Sequence, residues 1–184
     1  MNRDEALNLI KSKIKNKNLI KHMLASEAII KSLAKKLHEP EAEWGIVGLI
    51  HDLDFEETKD MPEKHSLITI DILKDKGFSE EQLNAIKAHN AENLGLVRKT
   101  KIDFALTCAE QITGLIVACA LVQPDKKLAS VTSESVMKKF KQKSFAANVS
   151  REDIKLCEKL GLTLEEFVSL SLKSMQIISN DLGL

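Results

Sequence analysis

Apolar residues recur along this chain at three- and four-residue intervals, the spacing that gathers them on one stripe of an α-helix. Strand-type alternation is almost absent. Tyrosine is missing, and β-branched residues are scattered among Leu, Lys, Glu and Ala, which favour helix. The pattern predicts an N-terminal helix over 4–16, a second over about 18–38 that must stop before Pro40, and a third over about 41–51. A fourth is expected after Asp60, with Glu63 completing a capping box and Pro62 in the first turn, ending near Gly77. The fifth opens at Ser79 with Gln82 in the reciprocal position and runs to about 91. A long helix covers about 101–122. Shorter ones cover about 131–141 and run from Ser150 to Gly161, a favourable residue just past a helix end. The last begins at Thr163 with Glu166 and ends near Gly183. Three prolines, seven glycines and no repeat or linker-like stretch leave no visible boundary. The expectation is one all-α domain over 1–184: the N-terminal helix 4–16, a core of about 18–122, and C-terminal helices over about 131–182.

Composition narrows the class. Of 184 residues, 43% are hydrophobic and 29% charged, as in ordinary globular chains. Basic and acidic residues number 27 each, so the net charge is zero and no nucleic-acid footprint is expected. The opening MNRDEALNLIKSKIKNKN has two acids and no apolar core of a secretory signal. The longest apolar run, GLIVACALV at 114–122, is less than half of the ~20 residues a bilayer requires. A cytoplasmic protein with no membrane partner is expected, its oligomeric state open, a homodimer among the options. Cys108 and Cys119 lie eleven residues apart on one predicted helix, about 16 Å at 1.5 Å per residue, too far for a disulfide. Reduced, buried cysteines fit a reducing compartment.

The histidines carry the chemistry. His22 shares a stripe with Leu19, Ala25 and Ile29, and His51 shares one with Trp44, Val47 and Gly48. His65 is expected above Ile68 and Ile72, and His89 follows Ala85 and Ile86. All four therefore face inward on amphipathic helices, whereas His38 closes the helix ending LAKKLHEP and has no expected role. Four inward histidines, one joined to Asp52, are either separately satisfied core residues or convergent ligands of a metal ion, to which imidazole nitrogen and carboxylate oxygen are suited. On the long helix, Glu110 shares a face with Asp103, Leu106, Thr107, Thr113, Gly114 and Val117, with room and polar company to act as a further ligand. The other reading is a glutamate on a partly exposed polar edge. Cys108 lies about 200° around that helix and is excluded from the same site.

The order His22, His51-Asp52, His65, His89 and an acid on a long helix resembles the HD superfamily of metal-dependent phosphohydrolases. It is closest to the small proteins called HDIG-domain or predicted HD hydrolases. WGIVGLIHDLDFE is similar to their third helix, ALTCAEQITGLI to the segment that reads near A-A-D-E-L-T-G, and KKFKQKSFAANVSRE to their C-terminal part. The resemblance covers roughly 18–184. It implies an all-α bundle in which His22, His51, Asp52 and the acid at 110 hold one divalent ion. Asp52 would bridge to a second ion held by His65 and His89. Mn, Fe, Ni, Co, Zn and Mg remain open. Asp52 and Asp54 are the expected catalytic carboxylates. Asp54 stands where the family has glycine and is read either as a carboxylate orienting metal-bound histidines or as an exposed loop acid.

The function implied is hydrolysis of a small phosphorylated molecule (a phosphomonoester, nucleotide or cyclic nucleotide) by metal-activated water. Glu110 stands where the family has aspartate, and its extra methylene moves the carboxylate by about 1.5 Å. That departure, with Gln111 after it, keeps open a non-catalytic metal- or ligand-binding module on the same fold. A third reading is a plain helical scaffold without stoichiometric metal. Lys138, Lys139, Lys141, Lys143, Arg98 and Lys99 are the candidate phosphate contacts, Lys139, Lys143 and Arg98 foremost, unless they form a solvated face.

Overall fold

The computed structural model describes residues 1–184 and holds helices and turns without a strand. In chain order the helices are α1 (Arg3–Lys13), α2 (Lys17–Leu37), α3 (Glu41–Ile50), α4 (Phe55–Thr58), α5 (Leu67–Leu73) and α6 (Glu80–His89). They continue as α7 (Ala91–Leu94), α8 (Lys101–Leu121), α9 (Ser133–Phe140), α10 (Arg151–Ile154), α11 (Leu164–Ile177) and α12 (Ser179–Leu182). Short 3-10 segments occupy Leu128–Ser130 and Lys155–Leu160. Capping boxes start several of them where the side chains call for one: Ser79 with Gln82, Thr100 with Asp103, and Thr163 with Glu166.

One continuous apolar core holds the bundle together, with α8 at its centre against α2, α6, α9 and α10. Ile102, Leu106, Ile112 and Ile116 are buried on this helix, each contributing roughly 1.5–3 kcal/mol relative to exposure. Helix α8 is long and apolar enough to cross a bilayer, but most of it is buried inside the protein. The second axis of the core is α2 against α3. A Cβ on Gly48 would stand 3.1 Å from the Ser26 carbonyl oxygen and 3.2 Å from the Glu27 Cα. Only glycine lets the two backbones approach so closely, and this approach carries the end of α3 into the molecule beside α2. All three cysteines are free and buried.

Several boundaries differ from the expectation, and long-range hydrogen bonds explain two of them. Helix α1 stops at Lys13, short of 16, because the Lys15 and Asn16 amides donate to the Glu56 carboxylate. The fourth predicted helix was to start after Asp60; residues 61–66 are turns, and the regular helix is α5, confined to Leu67–Leu73. Asp60 and Glu63 form no capping box there. The Thr69 amide in the first turn donates instead to Asp54, fifteen residues upstream. Tertiary pairing overrode the local signal. The predicted helix from Ser150 to Gly161 is α10 followed by the 3-10 segment, and the last predicted helix breaks at Ile178 into α11 and α12.

Candidate metal centre

Asp52 lies one residue past the C-cap of α3, with His51 fully buried beside it. Its two oxygens face different histidine pairs. Oδ2 lies 3.5 Å from His22 Nε2 and 3.6 Å from His51 Nε2. Oδ1 lies 3.3 Å from His65 Nε2 and 3.5 Å from His89 Nε2. The rings crowd together, with centroids 5.2 Å apart for His22 and His51 and 4.8 Å for His65 and His89. The structure thus brings His22, His51, Asp52, His65 and His89 to one point, with Glu110 at its rim.

Hydrogen bonding sets the tautomers. His51 Nδ1 lies 2.9 Å from the Gly48 carbonyl oxygen, and His89 Nδ1 is bonded to that of Ile86. A carbonyl only accepts, so both Nδ1 atoms carry hydrogen. Thr113 spends its hydroxyl hydrogen on the Glu110 carbonyl at 2.6 Å, so at 2.8 Å it accepts from His22 Nδ1. His65 Nδ1 donates to Asp54 Oδ1 at 2.8 Å. Each histidine therefore turns the bare lone pair of Nε2 toward Asp52 when neutral. His51 Nε2 is buried without any hydrogen-bond partner.

Six acceptor atoms facing one another, two oxygens and four nitrogens, call for a cation. In the protein alone a proton fills part of that need. Burial disfavours charge on His65, but Asp52 and Asp54 more than offset it and raise its pKa to about 9. Its Nε2 can then bridge the 2.9 Å to His89 Nε2. Burial pushes His51 down to about 3, and His22 is lowered for the same reason. Burial acts against charge on Asp52, yet the histidines, His51 foremost, hold it well below the usual carboxylate range.

The spacing suits metal ions as well as the charge does. Ligands about 2.0–2.2 Å from a transition metal and adjacent around it stand about 2.8–3.6 Å apart. The five distances from 2.9 to 3.6 Å all fall in that interval. Two groups can hold an ion: His22, His51 and Asp52, and Asp52, His65 and His89. Glu110 stands farther out, with Oε2 4.0 Å from His22 Nε2 and Oε1 accepting from Gln111 Nε2 at 2.8 Å. Burial first, and then the Asp52 charge, push its pKa up to about 8. The space expected beside Gly114 is taken by Val149, and Thr107 bonds to Asp103 and Arg98 rather than serving Glu110.

Asp54 is 2% exposed, so the loop-acid reading is wrong. Nor is it placed as a catalytic carboxylate. Oδ1 takes His65 Nδ1 and the Ser66 amide, and Oδ2 takes the Thr69 amide, so the side chain acts through His65. Asn90 secures the same turn by donating to the carbonyls of Pro62 (2.8 Å) and His65 (3.0 Å). Ser66 reverses the chain with φ +75°, a costly backbone state for a residue with a Cβ. His65 therefore reaches the cluster from a turn, not from the predicted helix.

The expected phosphate contacts are not gathered here. Lys139 extends to Gln142 and over the Phe145 ring, and Lys143 is exposed. Arg98 reaches the neighbourhood of Glu110 but forks onto Glu92 at 2.6 and 2.9 Å. Asp103, on the Glu110 face, takes the Lys99 and Thr100 amides at the start of α8. Sequence reasoning missed Asn90 and the positioning role of Gln111, which ties Glu110 to the Ser150 amide. It also missed Lys21. That residue and His22 line a cavity of about 530 Å³ between α2, α8 and the turn after α12. Adjacency to His22 was the only available sign.

The family model described as HD domain matches residues 19–121, over half of the chain and all six converging residues. No curated protein and no solved structure matches the chain.

Proposed function

Because the chain belongs to the HD domain family, we propose that it is a metal-dependent phosphohydrolase acting on a small phosphorylated substrate. The observation that carries this reading is the partition of Asp52, one oxygen toward His22 and His51 and the other toward His65 and His89. Carboxylate bridging is the arrangement expected where two ions share a site. In this reading His22, His51, Asp52 and Glu110 serve one divalent ion, and Asp52, His65 and His89 serve the other. Bound ions bring the pKa of water toward neutrality and offset phosphoryl charge. The chain's own groups hold the geometry. The Gly48 and Ile86 carbonyls, Thr113 and Asp54 keep hydrogen on each Nδ1, so each Nε2 stays available. Hydrolysis adds water oxygen to phosphorus and breaks the ester P–O bond, and the departing alcohol takes a proton.

The second reading, a non-catalytic metal-binding module, draws on Glu110. Its carboxylate lies outside the spacing of adjacent ligands and is engaged by Gln111. Reduced, buried cysteines suit a cytoplasmic setting for either reading. Metal content measured with hydrolysis of methyl phosphate, after loading with Mn, Mg, Co or Ni in turn, separates them. Turnover that vanishes on chelation and returns with metal supports the hydrolase; stoichiometric metal without turnover supports the module. Absence of bound metal refutes both.

A further inference from the structure

The cavity beside His22 has the shape and chemistry of a substrate compartment. At about 530 Å³ it falls within the roughly 300–1,000 Å³ usual for small-molecule sites. Thr113 and His22 mark the end next to the metal cluster, and the α8 wall continues through Val117 to Leu121. Eight residues at 1.5 Å each give that wall a length of about 12 Å. Across it, Leu182 and Leu184 add further aliphatic surface. No Phe or Trp lines the cavity, so a nucleobase would find no aromatic face to stack on. Phe55, the ring that packs edge-on against His65, belongs to the Oδ1 side of Asp52, whereas the cluster residue that lines the cavity is His22.

Lys21 supplies the charge. It is half-buried, and none of the chain's lysine or arginine ion pairs involves it. Its Nζ lies 3.1 Å from where a Cβ on Gly183 would stand, at the turn after α12. Neither Asp52 nor Glu110 pairs with it, although both pair with the adjacent His22. The ammonium thus faces the cavity and not the cluster; the lining side chains include no Asp or Glu, and the terminal carboxylate on Leu184 does not pair with Lys21.

We infer that this cavity seats the organic part of the substrate, and that this part is a linear aliphatic chain bearing a second anionic group, which Lys21 holds. The inference rests on the hydrolase reading and adds the substrate class to it. The phosphoryl group lies at the cluster, the carbon chain runs along Val117 and Leu121, and a carboxylate or second phosphate meets Lys21. Nucleotides are disfavoured because their flat base has no platform.

Calorimetric titration of the metal-loaded protein with uncleavable phosphonates tests this. The probes are methylphosphonate, hexylphosphonate, phosphonohexanoate and the methylenephosphonate analogue of adenosine monophosphate. Hexylphosphonate should bind at least tenfold tighter than methylphosphonate, and phosphonohexanoate about tenfold tighter again. The nucleotide phosphonate should be the weaker ligand beside phosphonohexanoate. Lys21→Met should erase the advantage of phosphonohexanoate over hexylphosphonate, and Lys21→Arg should keep most of it. Equal binding of the two alkyl probes, survival of the advantage in Lys21→Met, or tighter binding of the nucleotide overturns the inference. Hydrolysis of methyl phosphate, too small to fill the cavity, is measured in parallel. If it is cleaved while the chain-length and charge effects are missing, the inference alone fails. If it is not cleaved and no phosphonate binds, the hydrolase reading and the inference fall together.

Discussion

The two halves of the candidate metal centre are built differently. On the Oδ2 side of Asp52, His22 stands within the 21-residue α2 and His51 caps α3, and their Nδ1 partners lie on α8 and α3. On the Oδ1 side, His89 ends a helix, but His65 hangs from a turn between α4 and α5. Asp54, Asn90 and a strained Ser66 hold that turn in place. The first half inherits its precision from helix packing. The second depends on a few specific hydrogen bonds, and its precision is only as good as they are. A shared Asp52 makes both halves one site.

Mutations at Asp52, at Asp54 and at Glu110 probe the shared group, the second half and the first half in turn. Asp52→Asn carries the largest expected effect, because it removes the anionic ligand common to both groups. Affinity for both ions should fall by more than about 100-fold, above the roughly 10–100-fold typical when a residue that only orients a ligand is lost. A calorimetric metal titration that still finds two tight ions would break the picture of one site with two halves.

Asp54→Ala should act on one half. It leaves the Ser66 and Thr69 amides and His65 Nδ1 without their partner. Each unpaired buried amide costs roughly 1–3 kcal/mol, seen as a lowered Tm. Affinity for the ion at His65 and His89 should fall about 10–100-fold, while that at His22 and His51 stays close to wild type. Equal loss at both ions would mean that Asp54 supports the bundle as a whole rather than the turn.

The same division explains what was legible in the sequence. Helical periodicity turned His22, His51 and His89 inward, as the structure has them, because local spacing decides which face of a helix a residue takes. The resemblance to HD hydrolases supplied the grouping that periodicity left open. The turn at 61–66 was invisible. Asp60, Pro62 and Glu63 form a good local start signal, and nothing nearby reveals that Asp54 will claim the Thr69 amide fifteen residues away. Lys21 and Asn90 escaped for a similar reason: their roles come from the tertiary placement of α12 and of the turn.

Glu110→Gln is the smallest of the expected effects. With Oε2 4.0 Å from His22 and Oε1 held by Gln111, this carboxylate contributes less than Asp52. Loss of its charge should weaken the ion at His22 and His51 about tenfold and leave the other unchanged. Glu110→Asp sharpens the point: lowered turnover marks an enzyme tuned to the longer side chain, and raised turnover marks a chain that lost activity at this position. Unchanged metal affinity in Glu110→Gln would remove residue 110 from the ligands altogether.

The most direct measurement is the anomalous diffraction of a manganese-loaded crystal at the metal edge. Two peaks should flank Asp52 about 3.5–4 Å apart, one beside His22 and His51 and the other beside His65 and His89. A single peak, or peaks away from Asp52, would contradict the bridged centre.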